Sequence, residues 1–178
     1  MKHSVKEREE QLLRAIPDIV GYSSVLYIGA NVNRMEMVSL FTTINRRIDV
    51  LEAWPDNVRE LEAWNAEKKV FGKIELGDVR LLEKDRTHDV VMWWHGPEHI
   101  DIAELPSVLK KLERAARHLV VLACPSGKSP QGEAYGNPYE VHRSPVYACD
   151  LRACGYKINI LGKTDKPRSN LIGWRRIL

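Results

Sequence analysis

Side chains that could bind a ligand or move a proton occur at three places in this sequence. Glu52 ends the apolar run IDVLE, the segment HGPEHI places His95 and Glu98 directly after DVVMWW, and His142 stands in a stretch without periodicity. A carboxylate accepts hydrogen bonds from sugar hydroxyls, and a histidine or glutamate with a pKa near neutral can act as a general base. We therefore take His95, Glu98 and His142 as candidate catalytic residues. Each has an alternative role: Glu98 can stabilise the turn, and His142 can be a solvated loop residue.

The region between residues 24 and 56 has the pattern of a nucleoside-binding unit. The apolar run VLYI predicts a buried strand, Gly29 opens a turn, apolar residues at helical spacing follow, and the second apolar run ends on Glu52. A Rossmann-like fold holds an adenosine with this succession of elements: a strand, a turn, a helix and a second strand. The second strand ends in an acid about 20 residues beyond the turn. The same pattern also fits any parallel sheet whose second strand happens to end in Glu.

Strands and helices alternate along the whole chain. The pattern predicts helices within residues 4–20, 32–41, 57–69, 103–117 and 146–155, and strands within 25–28, 48–52, 70–79, 89–94, 118–125, 156–162 and 171–178. The segment KTDKPRSN between the last two strands is too short for a crossover helix, so these strands are expected to form an antiparallel hairpin. The predicted fold is α/β: a Rossmann-like, doubly wound, mostly parallel seven-stranded sheet in three α/β/α layers, closed by a C-terminal antiparallel hairpin.

Length and composition predict one domain over residues 1–178. An N-terminal helix falls within residues 1–22, and the Gly-, Pro- and Ser-rich stretch 126–145 is long enough to be a functional cover loop. The charged start MKHSVKEREEQ does not resemble a signal peptide, and no run reaches the roughly 18 apolar residues of a membrane span. We expect no membrane association and a cytoplasmic location.

The charged residues and the cysteines argue against two classes of partner. The net charge is +3, and the basic pairs are scattered along the chain, which disfavours a nucleic-acid surface. The three cysteines and six histidines contain no pair at zinc-ligand spacing. The sequence therefore predicts neither nucleic-acid binding nor a metal site.

From Ser24 onward the sequence resembles the class I S-adenosylmethionine-dependent methyltransferases. The segment DVVMWWHGPEHI aligns without a gap to a pattern of the small-molecule members, in which Asp-Val-Val is followed by Glu-His-Ile or Glu-His-Val. The segment GNPYEVHRSPVYACDLRACGY resembles the region before the sixth strand in one group of these enzymes. The resemblance implies S-adenosylmethionine as cofactor and a small-molecule acceptor, and leaves open the acceptor's identity, the atom methylated and the oligomeric state.

The resemblance also implies roles for residues at the strand ends. Glu52 takes the position of the acid that bridges the ribose hydroxyls, with Ala53 and Trp54 as apolar neighbours of the adenine. Asp78 takes the position that accepts a hydrogen bond from the adenine amino group, with Val79 beside it. The complete set of implied cofactor-binding residues is Gly29, Ala30, Asn31, Glu52, Ala53, Trp54, Asp78, Val79, Trp94 and His95.

The glycine motif of the family is altered in this chain. The family pattern is apolar, acid, apolar, Gly-x-Gly-x-Gly. Here Tyr27 occupies the position of the acid, and Asn31 and Asn33 occupy the positions of the second and third glycines. Asparagine tolerates a positive φ, so the turn can keep its shape, although the side chains narrow it. We expect weaker cofactor binding than is usual for the fold. A catalytically inactive binding or scaffold protein is the alternative; a nucleotide-dependent oxidoreductase is disfavoured by the hairpin and by the missing GxGxxG.

Methyl transfer is an in-line displacement. The resemblance therefore implies residues that align the acceptor with the methyl group, and a base that accepts the acceptor's proton. His95 is favoured as base because it leaves the fourth strand beside the expected methyl group. We expect the loop 126–145 to close over the site and to bring Tyr135, His142 and Arg143 towards His95. Its aromatic and cationic side chains suggest an acceptor with a planar or anionic portion.

Overall fold

The computed structural model describes residues 5–32, 47–162 and 169–178. Its strands are β1 (Ser24–Ile28), β2 (Arg47–Glu52), β3 (Phe71–Leu76), β4 (His88–Trp94), β5 (Ala116–Pro125), β6 (Lys157–Leu161) and β7 (Asn170–Arg176). Its α-helices are α1 (Val5–Ala15), α2 (Pro55–Lys68), α3 (Leu105–Ala115) and α4 (Ala148–Ala153). Short 3₁₀ helices span Pro17–Gly21, Val79–Leu81, Pro97–His99 and Pro138–Glu140. The helix predicted after β1 and the residue Asn33 lie outside the described residues.

The seven strands form one sheet in the order β3-β2-β1-β4-β5-β7-β6. Neighbours among the first five strands pair in parallel, whereas β7 pairs antiparallel with both β5 and β6. This confirms the predicted mostly parallel sheet with its C-terminal hairpin. The chain builds outward from β1 to β3 and then returns to place β4 on the other side of β1. The crevice at such a reversal, beyond the carboxyl ends of the strands, is where open α/β sheets bind ligands.

Helices cover both faces of the sheet because successive strand residues point to opposite sides. One core contains Tyr27, Met92 and Trp94, with Leu12 of α1 and Ile16, the residue after α1, packed against the strands. The other core is built from the alternate strand residues and from α3, and it includes Leu26, Ile28, Val91, Trp93, Leu105, Leu109 and Leu112. The two cores confirm the three-layer architecture.

The helix boundaries agree with the predictions to within two residues, except at the end of the first helix. That helix was predicted to reach residue 20, but α1 ends at Ala15 and the 3₁₀ helix Pro17–Gly21 follows, because a proline disfavours helical backbone in the residue before it. Pro55 occupies the first turn of α2, and the helix ends before Lys69, which has a left-handed backbone with φ +54°. β5 begins at Ala116, two residues earlier than predicted, because Ala116 pairs with His88 directly after α3. Within the described ranges, no helix has the length and apolar character needed to cross a membrane.

Candidate active-site cleft

An open cleft lies at the carboxyl edge of the sheet, beyond the ends of the neighbouring strands β1 and β4. Its empty volume is about 700 Å³, a figure that includes open solvent at its mouth. Its walls come from the ends of four strands and from the loop 126–145. The described residues that line it are Ile28, Gly29, Leu51, Glu52, Ala53, Gly77, Asp78, Val79, Arg80, Trp93, His95, Gly96, His99, Ile100, Asn137, Tyr139, Glu140 and Arg143.

The turn after β1 depends on the backbone conformation of Gly29. This residue has φ +78°, and its N–H donates to the carbonyl of Leu51 at 2.9 Å. A Cβ atom added here would meet nothing within 4 Å, so the positive φ, and not lack of space, is what requires glycine. Asn31 is buried and is not among the described residues with positive φ, so the left-handed conformation that an asparagine tolerates is not used there. Tyr27, which replaces the family's acid, is buried in the core.

Glu52 places a buried carboxyl group at the end of β2, on the wall of the cleft. The side chain is 5% exposed, and its Oε1 accepts a hydrogen bond from the Trp54 amide at 2.9 Å. Burial raises the pKa of Glu52 to about 7, against the opposing effect of hydrogen bonds from the Trp54 amide and the Asn57 side chain. Asn57 also donates to the carbonyl of Ala30 at 2.9 Å and so ties α2 to the turn after β1. A carboxyl group with so few compensating donors can accept more from a ligand.

Asp78, at the end of β3, is held by Arg80. Its Oδ1 accepts from the Arg80 amide at 2.8 Å, which caps the short helix Val79–Leu81, and its Oδ2 lies 2.6 Å from Arg80 Nη2. Burial would raise the pKa of Asp78, but the side-chain and backbone hydrogen bonds from Arg80 hold it below its ordinary value. The carboxylate is therefore ionised and already paired, and the predicted contact with an adenine amino group stays a prediction.

The two tryptophans at the end of β4 point to opposite faces of the sheet. Trp93 lines the cleft, and its ring lies over Gly96 so closely that a Cβ atom added there would be 1.8 Å from Trp93 Nε1. Glycine at position 96 therefore makes room for the indole. Trp94 is 2% exposed and packs in the core on the α1 side. His95 follows with φ +52°, and its N–H donates to the carbonyl of Ala123 at 2.8 Å.

His95 and Glu98 form a pair at the cleft wall. His95 Nδ1 lies 3.3 Å from Glu98 Oε1, and His95 lines the cleft while Glu98 is 3% exposed. Burial would raise the pKa of Glu98, but the hydrogen bond from His95 and the charges of His95 and His99 hold it below its ordinary value. The other carboxylate oxygen, Glu98 Oε2, is buried without a hydrogen-bond partner among the described residues.

The loop 126–145 is attached to the segment after β4 through its backbone. The amides of Arg143 and Ser144 donate to the carbonyl of Glu98, at 2.8 Å and 3.3 Å. Tyr139 and Arg143 line the cleft, together with Asn137 and Glu140. Tyr135, which was predicted to point towards His95, is instead 63% exposed and is not among the described lining residues.

His142 packs against His99, a residue of the cleft wall. Its ring meets the ring of His99 edge-on with centroids 4.9 Å apart, and its Nδ1 is hydrogen-bonded to the carbonyl of Ser129. Burial lowers the pKa of His142. Among the described residues that line the cleft, His99 is present and His142 is not.

The structure brings half of the predicted site residues together in the described lining of the cleft, and of the predicted catalytic residues only His95 is in that lining. Of the implied cofactor-binding set, Gly29, Glu52, Ala53, Asp78, Val79 and His95 line the cleft; Ala30, Asn31, Trp54 and Trp94 are not among its described lining. Sequence reasoning missed Trp93, Arg80 and Tyr139. Strand alternation shows that only one of the two adjacent tryptophans can face the cleft, but it does not show which one.

Comparison with known proteins shows that the chain resembles solved structures in its fold, whereas no significant match was found by sequence. No family model matches the chain, and no curated protein sequence is a significant match. The N-terminal domain of EvdMO1 with SAH bound has a TM-score of 0.71 at 17% identity, over 100% of this chain and 83% of that chain. Magnesium protoporphyrin IX methyltransferase (ChlM) from Synechocystis PCC 6803 with bound SAH has a TM-score of 0.67 at 14% identity, over 97% and 81%. The N-methyltransferase NodS from Bradyrhizobium japonicum WM9 has a TM-score of 0.66 at 12% identity, over 97% and 95%. The chain has the fold of the class I S-adenosylmethionine-dependent methyltransferases.

Proposed function

We propose that this chain is an S-adenosylmethionine-dependent methyltransferase that acts on a small molecule, with the cofactor bound in the cleft. Glu52 carries the proposal. It is a buried carboxyl group at the end of the second strand, with a pKa of about 7 because burial outweighs its hydrogen bonds. Two ribose hydroxyls would supply the missing donors. The fold supports the same cofactor, since solved structures of this fold hold SAH or SAM.

The residues of the cleft fit such a cofactor at three neighbouring strand ends. Gly29 supplies the positive φ of the turn, Glu52 supplies the acid, and Asp78 lies at the next strand end. Bound S-adenosylmethionine supplies a methyl group that its sulfonium has already activated. The chain's own residues therefore have to orient an acceptor, exclude water and take up a proton.

His95 is the proposed base for an acceptor hydroxyl. Its Nδ1–H donates to Glu98, so Nε2 is the nitrogen that carries the lone pair and would accept the proton. The buried anionic carboxylate of Glu98 stabilises the imidazolium that forms, and it fixes the orientation of the ring. Glu98 is in this role a positioning residue.

The acceptor side of the cleft supports a partner with a planar or anionic portion. Tyr139 offers an aromatic ring and Arg143 a cation, and both come from the loop 126–145. Arg80 adds a second guanidinium, which is shared with Asp78. A loop in this position can exclude water once an acceptor is bound.

A non-catalytic binding protein on the same fold is the second candidate. The pairing of Asp78 with Arg80 favours it, because that carboxylate is already satisfied before any adenine arrives. Transfer of radiolabelled methyl from S-adenosylmethionine to the small-molecule fraction of a cell extract distinguishes the two candidates. Transfer that His95→Ala abolishes supports the enzyme, and tight cofactor binding with no transfer supports the binding protein.

Calorimetry with S-adenosylmethionine tests the cofactor site directly. Glu52→Gln should weaken binding at pH 8 by about tenfold or more, because charge-assisted hydrogen bonds to the ribose are lost. The matched control is Glu60→Gln, which removes an exposed acid of α2 and should leave the affinity unchanged. An equal dissociation constant for Glu52→Gln and the wild type would contradict the proposal.

The same titration has an expected pH dependence. With a pKa of about 7, Glu52 is mostly ionised at pH 8 and mostly protonated at pH 6 in the free protein. Wild-type affinity should therefore fall by about tenfold from pH 8 to pH 6, and Glu52→Gln should lack most of that change. NAD and NADP, measured beside it by thermal shift, should leave the melting temperature unchanged.

A further inference from the structure

Glu98, His99 and His142 form a compact group beside the cleft, which we call the His–Glu cluster. One candidate ligand atom from each of the three side chains lies within 4.8 Å of the other two. Glu98 and His99 belong to the 3₁₀ helix after β4, and His142 comes from the loop 126–145. The backbone bonds from Arg143 and Ser144 to the carbonyl of Glu98 hold these two segments against each other.

The buried carboxylate of Glu98 has one oxygen in use and one that is not. Oε1 faces His95 Nδ1 at 3.3 Å, whereas Oε2 is buried with no hydrogen-bond partner in the described part of the chain. The residue is only 3% exposed, so little water reaches it. Leaving a buried carboxylate oxygen unpaired is costly unless a donor or a cation fills the place. This observation points to a ligand independently of the grouping of the three side chains.

Both histidines are oriented by backbone carbonyls that contact their Nδ1 atoms. His99 Nδ1 lies 3.3 Å from the carbonyl of Val141, and His142 Nδ1 is bonded to the carbonyl of Ser129. A carbonyl can only accept, so each Nδ1 carries the proton and each Nε2 keeps its lone pair. Histidine ligands of metal ions show this arrangement, in which a second hydrogen bond fixes the tautomer and the ring orientation.

We propose that the His–Glu cluster binds a divalent transition-metal ion of the Zn²⁺ type through two imidazole nitrogens and one carboxylate oxygen. Two nitrogens and one oxygen suit Zn²⁺, Fe²⁺ or Co²⁺, whereas Mg²⁺ and Ca²⁺ prefer oxygen ligands alone. With bonds of about 2.1 Å, ligand atoms of a tetrahedral ion stand about 3.4 Å apart. The side chains then need only a small contraction from their present spacing of up to 4.8 Å.

The ion would sit at the wall of the cleft, because His99 belongs both to the cluster and to the lining. Three protein ligands leave a coordination position for water or for a substrate oxygen. The proposal goes beyond the proposed methyl transfer and does not depend on it. It is opposed to the prediction of no metal, which rested on spacing along the chain and not on proximity in the fold.

Titration of chelator-treated protein tests the site. The wild type should bind one equivalent of Zn²⁺ by calorimetry, and one equivalent of Co²⁺ should develop the visible absorption of a low-coordinate ion. His142→Ala and Glu98→Gln should each weaken Zn²⁺ binding by more than about 100-fold, because each removes a direct ligand. His118→Ala is the matched control, since this exposed histidine stacks on Tyr22 and lies outside the cluster. Mg²⁺ should not compete.

Three results would overturn the proposal. The first is a wild type that binds no Zn²⁺, and the second is a His142→Ala or Glu98→Gln variant that binds Zn²⁺ as tightly as the wild type does. The third is a His118→Ala variant that no longer binds one equivalent of Zn²⁺. If His142→Ala does not fold, Glu98→Gln keeps the shape of the side chain, and the wild-type titration alone remains decisive. Zn²⁺ should raise the melting temperature of the wild type and not that of Glu98→Gln. S-adenosylmethionine calorimetry on chelator-treated protein is a separate readout, so loss of the metal site and loss of the cofactor site are distinguishable.

Discussion

Near the amino edge of the sheet, Asp49 has a complete set of partners. Its carboxylate accepts hydrogen bonds from the Arg47 side chain, from the Lys73 amide at 2.9 Å and from His88 Nε2 at 2.9 Å. Burial would raise the pKa of Asp49, but the bonds from Arg47 and His88 hold it below its ordinary value. At the carboxyl edge, Glu52 is equally buried and has a pKa of about 7.

Asp89 and Glu98 repeat this contrast on and after β4. Asp89 accepts from the amide and hydroxyl of Ser23, the amide of Ser24 and the guanidinium of Arg117, and these bonds hold its pKa well below the ordinary range against burial. Glu98 has an unpartnered oxygen among the described residues. The fold thus satisfies Asp49 and Asp89, which hold strands together, and leaves Glu52 and Glu98 short of donors where a ligand can enter. Asp78 is the exception at the cleft, because Arg80 already pairs with it.

Removing an acid at the amino edge should cause the largest loss of stability. Asp49→Ala leaves the buried His88 and the Lys73 amide without their acceptor, so we expect a loss of about 1–3 kcal/mol in the free energy of unfolding for each of the two donors. Urea denaturation at pH 7 measures it, with Asp85→Ala as the exposed matched control, expected to change by less than about 0.5 kcal/mol. Equal free energies of unfolding for the two variants would show that the hydrogen-bonded acid at the amino edge does not stabilise the fold.

The acids at the two edges should also contribute to the free energy of unfolding with opposite pH dependence. Between its ordinary value of 4.5 and about 7, native Glu52 holds a proton that the unfolded chain has released. Its contribution is complete below about pH 4.5 and is lost as the pH rises through 7, in total about 3 kcal/mol. The lowered pKa values of Asp49 and Asp89 act in the opposite direction: their contribution is present above pH 4 and is lost as acid protonates them.

Urea denaturation from pH 5 to pH 8 checks this second prediction. The wild type should lose stability relative to Glu52→Gln as the pH rises, because Gln has no charge to bury. Above pH 7 the variant should therefore be the more stable protein. Parallel curves for the two proteins would show that the carboxyl group of Glu52 is not held short of donors.

The smallest expected effect is a difference in cofactor affinity between variants of Trp93 and Trp94, which are adjacent on β4. Trp93→Phe should weaken S-adenosylmethionine binding by about threefold, since Trp93 lines the cleft above Gly96. Trp94→Phe removes the same group from the core on the α1 side and should leave the dissociation constant unchanged. Both variants should lose similar stability in thermal melts. An effect on affinity at Trp94 and none at Trp93 would reverse the assignment of the two faces.

The elements of the fold could be predicted from the sequence because their signals are local. An apolar run such as DVVMWW predicts a buried strand wherever it is placed, and an eight-residue connection before the last strand excludes a crossover helix. Gly29, Glu52, Asp78 and His95 were predicted at one edge for a similar reason. They follow parallel strands, and the carboxyl ends of parallel strands lie together whatever packs around them.

Only the tertiary structure decided which side chains meet. The pattern of alternation did not show that Trp93, and not Trp94, faces the cleft, because that depends on which helix covers each face. Nor did spacing along the chain bring His142 next to His99, since the path of a loop without periodicity determines that contact. The pKa of Glu52 followed from its burial and its few donors. Each of these properties depends on distances between residues far apart in sequence, which local periodicity does not encode.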